Sequence, residues 1–369
     1  TFLKPFGIVD IHVFPSPDSI TINNENYNNN SKTIFDLGHY DITIEKTGYL
    51  SPHFTVDITQ KNPFYTDTVN LLRLPAYVPT GLDFDMITPI DEGFLAQISG
   101  THNFWVLSKE YGITDIIDTQ YAFVGGAYFT DGKGIFEYSI PLKKFQPLAV
   151  SKGEKLPICS DWKWYGEQLF CPDTRTFFPQ KKLDTDEHIL SANVDIILSN
   201  KRIYNQDPDN ENWQYYEYQS GTLRHPESLI HVKKIPYILE NNYLTPIDPP
   251  STLSGSILPL NTSFDTIIRA REFGSESIVV GVKGGKNMFV VFDGEKRFFG
   301  EFGTINLENI RIEKLNGVYV FITKNSVYIY YKGSREIFNV IEAPIVGFAD
   351  SLVFFKKDGK VSVLDLLRK

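Results

Sequence analysis

Between Asp265 and Leu366 one short pattern of strand-like segments recurs, and that recurrence restricts the fold more than any other feature of the chain. The first copy runs Thr266–Ala270, Ser277–Val282, Asn287–Phe292 and Arg297–Phe302. The second runs Ile310–Leu315, Val318–Thr323, Val327–Tyr331 and Glu336–Val340. The third has Ile345–Phe348, Leu352–Lys356 and Val361–Leu366. Each segment alternates apolar and polar residues or is rich in β-branched and aromatic ones, and Gly, Asn or Asp separates neighbours. The second segments begin near Ile278, Val318 and Leu352, 40 and then 34 residues apart. A four-stranded antiparallel unit at that period is the building block of a β-propeller.

Upstream the same reading gives a first blade at Leu82–Pro89, Gly93–Ser99, Asn103–Leu107 and Tyr111–Ile117. A second follows at Asp118–Ala122, Gly126–Thr130, Gly134–Ile140 and Phe145–Val150. Less regular stretches at Leu156–Phe178, His188–Tyr218 and Leu229–Leu260 supply three more. Eight blades need about 36 residues each and seven about 41, both within the usual repeat range. Eight is preferred, with seven second. Closing a propeller removes an exposed sheet edge. The last copy has three strands, so the alternating segment Asp67–Leu74 is expected to supply its missing outer strand. The propeller is thus assigned to residues 67–369. In the second blade, Phe123-Val124-Gly125-Gly126 followed by Phe136-Glu137-Tyr138 and Phe145 resembles a kelch unit with Phe in place of Trp.

Residues 1–66 read as a separate small β unit. Ile8–Phe14 alternates, Pro15-Ser16-Pro17-Asp18 breaks it, and Ser19–Asn23, Thr33–Leu37, Tyr40–Glu45 and Phe54–Thr59 follow as strands. The Asn-rich tract Asn23–Lys32 is expected to be a loop, because its side chains bury no apolar surface. Such short strands in about 60 residues make a small antiparallel sandwich or barrel. Three elements in order carry a family resemblance: Pro17-Asp18-Ser19-Ile20, Leu37-Gly38-His39-Tyr40 and Lys46-Thr47-Gly48-Tyr49. With these the segment from about residue 5 to 60 resembles a PEGA domain. The resemblance implies an immunoglobulin-like β-sandwich of the kind found in bacterial and archaeal envelope proteins, tethered outside the cytoplasm. It brings no catalytic residues.

Aromatic residues make up 14 % of the chain, with 20 Tyr and 28 Phe, which favours strands over helices. The net charge is −9 and no basic run reaches five residues, so nucleic acid is not an expected partner. No apolar run approaches the roughly 18 residues of a membrane-spanning helix. The chain begins at Thr1 without Met, which is read as a trimmed start whose signal or anchor is missing, with removal of a tag explaining it equally well. Membrane contact is expected only through such an anchor.

The two cysteines, Cys159 and Cys171, flank a turn. If Trp164-Tyr165-Gly166 is a three-residue hairpin loop, Lys163 faces Glu167, Trp162 faces Gln168 and Cys159 faces Cys171. Directly opposed cysteines come close enough for a disulfide, although only non-hydrogen-bonded pairs have comfortable geometry and parity from the loop points to the less favourable site here. Two buried thiols are the alternative, since free Cys is among the most buried residue types. A disulfide would place the chain in an oxidising compartment.

Catalytic and metal motifs find little support. Asp207-Pro208-Asp209-Asn210-Glu211 has the alternating carboxylates of a calcium loop, but Asn212 and Tyr218 stand where Gly and the bidentate Glu belong, so it reads as a solvated loop. In Asp184–His188 only Asp184, Asp186 and His188 could share a strand face, and a polar linker is the preferred reading. His102, His188, His225 and His231 form no ligand pair, no GxSxG elbow occurs, and no cofactor is expected. Gly281-Val282-Lys283-Gly284-Gly285-Lys286 joins two strands and reads as a hairpin turn, not a phosphate loop.

Aromatic clusters remain. Trp162, Trp164 and Tyr165 crowd one hairpin, and Trp213 leads a strand with Tyr215, Tyr216 and Tyr218. Rings at a loop tip can stack on sugars or anchor a protein, whereas in a propeller they also pack between blades. The sequence is therefore read as a non-catalytic, extracytoplasmic envelope protein. Its propeller would bind a protein or glycan partner, and its small domain would act as a spacer. The alternative is a propeller hydrolase or lyase acting on polysaccharide, with carboxylates converging in the central funnel.

Overall fold

The computed structural model describes residues 5–29, 32–74, 76–90, 93–131, 135–148 and 264–367, without 274–275, 294–295, 304, 308–309 and 350. Between 149 and 263 it describes 163–165, 168–171, 176–178, 187–192, 196–207, 212–217, 228–232, 235–240, 243–246 and 258–259. Among the described residues every regular element is a strand. The fold is all-β, a two-sheet sandwich followed by the blade sheets of a β-propeller.

The sandwich uses β1 (Phe6–Phe14), β2 (Ser19–Ile22), β3 (Glu25–Tyr27), β4 (Lys32–Asp36), β5 (Gly38–Glu45), β6 (His53–Ile58) and β7 (Phe64–Asn70). One sheet has the order β4-β1-β7 and the other β3-β2-β5-β6. Alternation along the strands turns Val9, Ile11 and Val13 of β1 inward against Ile20, Ile22, Ile42, Ile44, Phe54, Val56 and Ile58. The Asn tract is partly a strand, contrary to the expected loop. Asn23 and Asn24 take left-handed backbone at φ 49° and 68°, the geometry of a type I′ hairpin, so Ile22 faces Glu25 directly. Further along, Asn29 bonds both the N–H and the C=O of Val13 through its side-chain amide.

Eight antiparallel blade sheets follow among the described residues, seven of them meanders in chain order and the eighth completed by a strand from before the first. The first is Phe84–Ile90, Gly93–Ile98, Phe104–Leu107 and Ile113–Ile117, and the second Ala122–Gly125, Tyr128–Thr130, Ile135–Ser139 and Lys144–Pro147. The third has Lys163–Tyr165, Gln168–Cys171 and Thr176–Phe177. The fourth spans Ile189–Ala192 to Asn212–Glu217, the fifth Ser228–Val232 to Leu258–Pro259, and the sixth Thr266–Phe273 to Lys296–Glu301. The seventh is Arg311–Leu315, Val318–Ile322, Ser326–Tyr331 and Ile337–Glu342. The eighth contains Ile345–Ala349, Leu352–Lys357 and Lys360–Asp365. Sharp turns with the expected chemistry separate the strands. Asn316-Gly317 and Asp358-Gly359 both have positive φ at each residue, and so do Gly284-Gly285, the hairpin turn read from the sequence.

The strand that completes the eighth sheet differs from the one expected. Phe64–Asn70 pairs in parallel with β1, from Ile8↔Phe64 to Phe14↔Asn70, and belongs to the sandwich, which therefore continues past residue 66. The outer strand of the last sheet is β8 (Tyr77–Pro79), with Ser362↔Pro79, Val363↔Val78 and Leu364↔Tyr77. The physical reason is burial: Val69 and the half-buried Tyr65 turn into the sandwich core, which rewards the long alternating segment more than an edge position does. Three residues then suffice for β8, because its neighbours hold it. Thr80 donates to the Val361 carbonyl from both its N–H and its hydroxyl, the Tyr77 ring meets Phe355 edge-on at 5.6 Å, and Lys357 contacts the Tyr77 hydroxyl.

The chain divides into two compact units, one joining Thr1–Asp83 to Val280–Lys369 and the other formed by Phe84–Val279. In the first, the sandwich and the last two blades share one hydrophobic core: Leu50, Phe54, Leu71 and Leu72 belong to the same cluster as Tyr331, Ile341, Val353 and Leu364. Polar ties reinforce it. Leu72 N–H donates to the Tyr331 hydroxyl at 2.9 Å, Arg335 N–H to the His53 carbonyl at 2.8 Å, and the Arg335 guanidinium to Asp41 at 2.7 Å. A ring cluster of Phe289, Phe302, Phe321 and Tyr330, with centroids 4.7–5.0 Å apart, packs the sixth blade's outer strands on the seventh. In the second unit, Phe104 meets Phe129 across the first and second blades, and Tyr128 meets Phe170 across the second and third.

Candidate interaction surfaces

The aromatic hairpin singled out in the sequence is the start of the third blade. Lys163 lies opposite Phe170, Trp164 opposite Leu169 and Tyr165 opposite Gln168. Lys163 thus pairs with Phe170 and not with Glu167, and Tyr165, expected inside a three-residue loop, is paired with Gln168. Burial fixes this register. Leu169 and Cys171 face Phe178, Ile197 and Tyr204, while Phe170 is buried on the opposite face against Tyr128. A one-residue slip would exchange those faces. Trp164 and Tyr165 are therefore strand residues beside the turn. Trp213 sits opposite Gln206 in the outer strand of the fourth blade, so no strand pairing joins it to Trp164. The side chains of these three residues, and all of Trp162, lie outside the described residues.

Cys171 is fully buried and disulfide-bonded. Cys159, the partner proposed for it, lies outside the described residues. Of the calcium-like segment, Asp207 pairs with Asn212 as the last rung of a hairpin, and residues 208–211 at its tip are not described. Asp184 and Asp186 are likewise outside the described residues. His102 and His188 are exposed, and His225 and the His231 side chain fall outside the description. Among the described residues no group of three or more His, Cys, Asp or Glu is placed to hold a metal.

Sequence reasoning overlooked Glu187. Its carboxylate is fully buried and accepts from Ser199 Oγ at 2.5 Å and Tyr204 Oη at 3.0 Å through Oε1. Through Oε2 it meets the Arg202 guanidinium at 3.2 Å. Ser199 Oγ in turn accepts from the backbone N–H groups of Lys201 and Arg202, which locks the turn between two strands of the fourth blade. Burial pushes the Tyr204 hydroxyl up to about 12. Asp115 behaves similarly in the first blade: the Ile116 N–H, the Tyr138 hydroxyl and Lys143 hold it below the usual carboxylate range. These groups tie sheets and turns together. Only the buried partners, 12 to 17 residues downstream, reveal that Glu187 is not part of a solvated linker.

Among the described residues, four exposed large apolar side chains, Phe6, Phe14, Ile34 and Phe64, lie on the strands of one sandwich sheet. The outer face of β4-β1-β7 carries the cross-strand row Ile34–Ile8–Phe64, with Phe6 two residues before Ile8. Phe64 is 69 % exposed, Ile34 66 % and Phe6 56 %. On the same face the next row is Lys32–Asp10–Thr66, and Asp36 lies beside Phe6. Asp10 is 8 % exposed, with His12 Nε2 at 3.1 Å and Lys32 Nζ at 3.7 Å from its carboxylate.

No protein-family model and no curated protein sequence matches the chain. Among solved structures it is similar to the extracellular domain of a one-component system from B. thetaiotaomicron, at 12 % identity and a TM-score of 0.41 over 88 % of this chain. The chain spans 55 % of that domain's length. A second similar structure is BBS1N in complex with ARL6DN, at 10 % identity and a TM-score of 0.39, covering 80 % of this chain and 98 % of the other. A third, the CNH domain of AfRom2, has 9 % identity and a TM-score of 0.33, covering 79 % of this chain and 96 % of that one.

Proposed function

We propose that the chain is a non-catalytic binding scaffold of the cell envelope. Its blade sheets offer a platform to a protein or glycan partner, and its sandwich is a PEGA-like domain. The carrying observation is how the described polar groups are used. Glu187 and Asp115, the carboxylates with hydroxyl and cationic partners in the blades, are committed to internal ties, which suits a rigid support. The sandwich shares a core with the last two blades, so within that unit it is a fixed mount and not a hinged spacer. The disulfide at Cys171 supports an oxidising, extracytoplasmic compartment.

The partner contact is assigned to the aromatic strands of the third and fourth blades, Trp162, Trp164, Tyr165 and Trp213. The test is binding of the purified chain to a glycan array and to envelope proteins, with Trp164→Ala and Trp213→Ala as variants. A partner retained by the native chain and lost on both substitutions supports the reading. Turnover of a polysaccharide that disappears when a single carboxylate is replaced would overturn it in favour of a hydrolase or lyase.

A further inference from the structure

The outer face of β4-β1-β7 carries an apolar patch that stays exposed among the described residues, and such patches mark interaction sites when they are contiguous. Ile34, Ile8 and Phe64 lie in one row across all three strands, and Phe6 extends it along β1. Strand spacings make the described patch about 10 Å wide and about 14 Å long from Phe6 to Asp10. Its charges are arranged in a particular way. On β4 the outward residues are Lys32, Ile34 and Asp36, so a cation and an anion stand two residues either side of an exposed Ile.

We propose that this face pairs with the same face of a second copy of the chain. A two-fold axis lying across the strands and passing over the Ile34–Ile8–Phe64 row sets each of these side chains on its own counterpart. The same operation reverses β4, so Lys32 meets Asp36 of the second copy, and Asp36 meets its Lys32. An isologous interface needs this self-complementarity, whereas a patch shaped for an unlike partner does not. A glycan is disfavoured because the centre of the row offers no hydrogen-bonding side chain. The area is small beside the roughly 800 Å² per partner of a stable interface, so the dimer is a weak one, forming at about 10–100 μM or above.

The test is sedimentation equilibrium of the full chain from about 1 μM to 500 μM. The expected result is a monomer–dimer equilibrium that Ile34→Asp weakens by more than about tenfold. Lys32→Asp alone weakens it as well, because like charges then meet, and Lys32→Asp combined with Asp36→Lys restores it. All three positions stand at the surface, and unfolding midpoints of the variants check that the fold is kept. A native chain that stays monomeric throughout overturns the proposal. So does a dimer indifferent to Ile34→Asp, or a charge exchange that fails to restore pairing. A monomeric chain that instead captures a different protein through Ile34 also refutes self-pairing.

Discussion

Tyr331→Phe isolates the tie between the sandwich linker and the seventh blade. Tyr331 is 3 % exposed and Leu72 5 %, and the Tyr331 hydroxyl accepts the Leu72 N–H at 2.9 Å. Phenylalanine keeps the ring and its edge-on contact with Phe338, so packing changes little. What is lost is the partner of a buried backbone donor, a penalty of about 1–3 kcal/mol. A central value of about 2 kcal/mol corresponds to a roughly 30-fold change in an opening equilibrium. Hydrogen exchange at the Leu72 amide should rise by about that factor in the variant, and urea unfolding of the same unit should move in parallel. Asn70→Ala is the internal control. It removes an exposed bond from the Asn70 side chain to the Asn316 carbonyl at 3.2 Å and should cost under about 0.5 kcal/mol. If Tyr331→Phe changes Leu72 exchange no more than Asn70→Ala does, the argument that this hydroxyl anchors the linker is wrong.

Other expectations follow from the same contacts. Burial raises Tyr330 and Tyr331 to about 12, so folding favours their neutral forms; their contribution to stability should be full below pH 10 and be lost as pH rises through 12, read by unfolding at stepped alkaline pH. Glu187→Gln supplies an amide where three donors converge, and should destabilise the second unit by about 3 kcal/mol in urea unfolding. Gly300→Ala would set a methyl 2.2 Å from the buried Phe289 ring, so a loss of about 1–3 kcal/mol is expected; an unchanged midpoint would mean that the ring is free to move. Tyr77→Ala removes the ring that holds β8 on Phe355 and Lys357, and limited proteolysis should then cut faster between Arg73 and Gly81.

Much of the fold was legible because the blades repeat a strong local code. The C-terminal strands alternate cleanly and are joined by Asn-Gly, Asp-Gly and Gly-Gly turns, which impose the hairpin hand by themselves. What escaped depends on competition between distant segments. Both Phe64–Asn70 and Tyr77–Pro79 could in principle complete the last sheet, and the longer one was taken by the sandwich core, a choice that no local pattern announces. The Asn23-Asn24 hairpin was hidden by polarity, since an Asn-rich tract reads as solvated until its backbone is seen to bend left-handed. The third blade's register turned on which face of Gln168–Cys171 meets the neighbouring sheets. Of the candidate contact residues, the sequence located the aromatic segments and their separate blades but not the pairing of Trp164 with Leu169, which depends on the third blade's register.

Completing the eighth sheet with β8 gives the molecule a schedule. Thr80 and Val361, which hold that seam, are 281 positions apart, so on the ribosome the early segment emerges long before its mate exists. Leu71 and Leu72 wait in the same way for Tyr331 and Leu364. The unit that joins Thr1–Asp83 to Val280–Lys369 therefore closes only after Phe84–Val279 has been made. A chain halted before Val318 would carry an open strand edge and a bare apolar shelf, the conditions under which nascent β proteins aggregate.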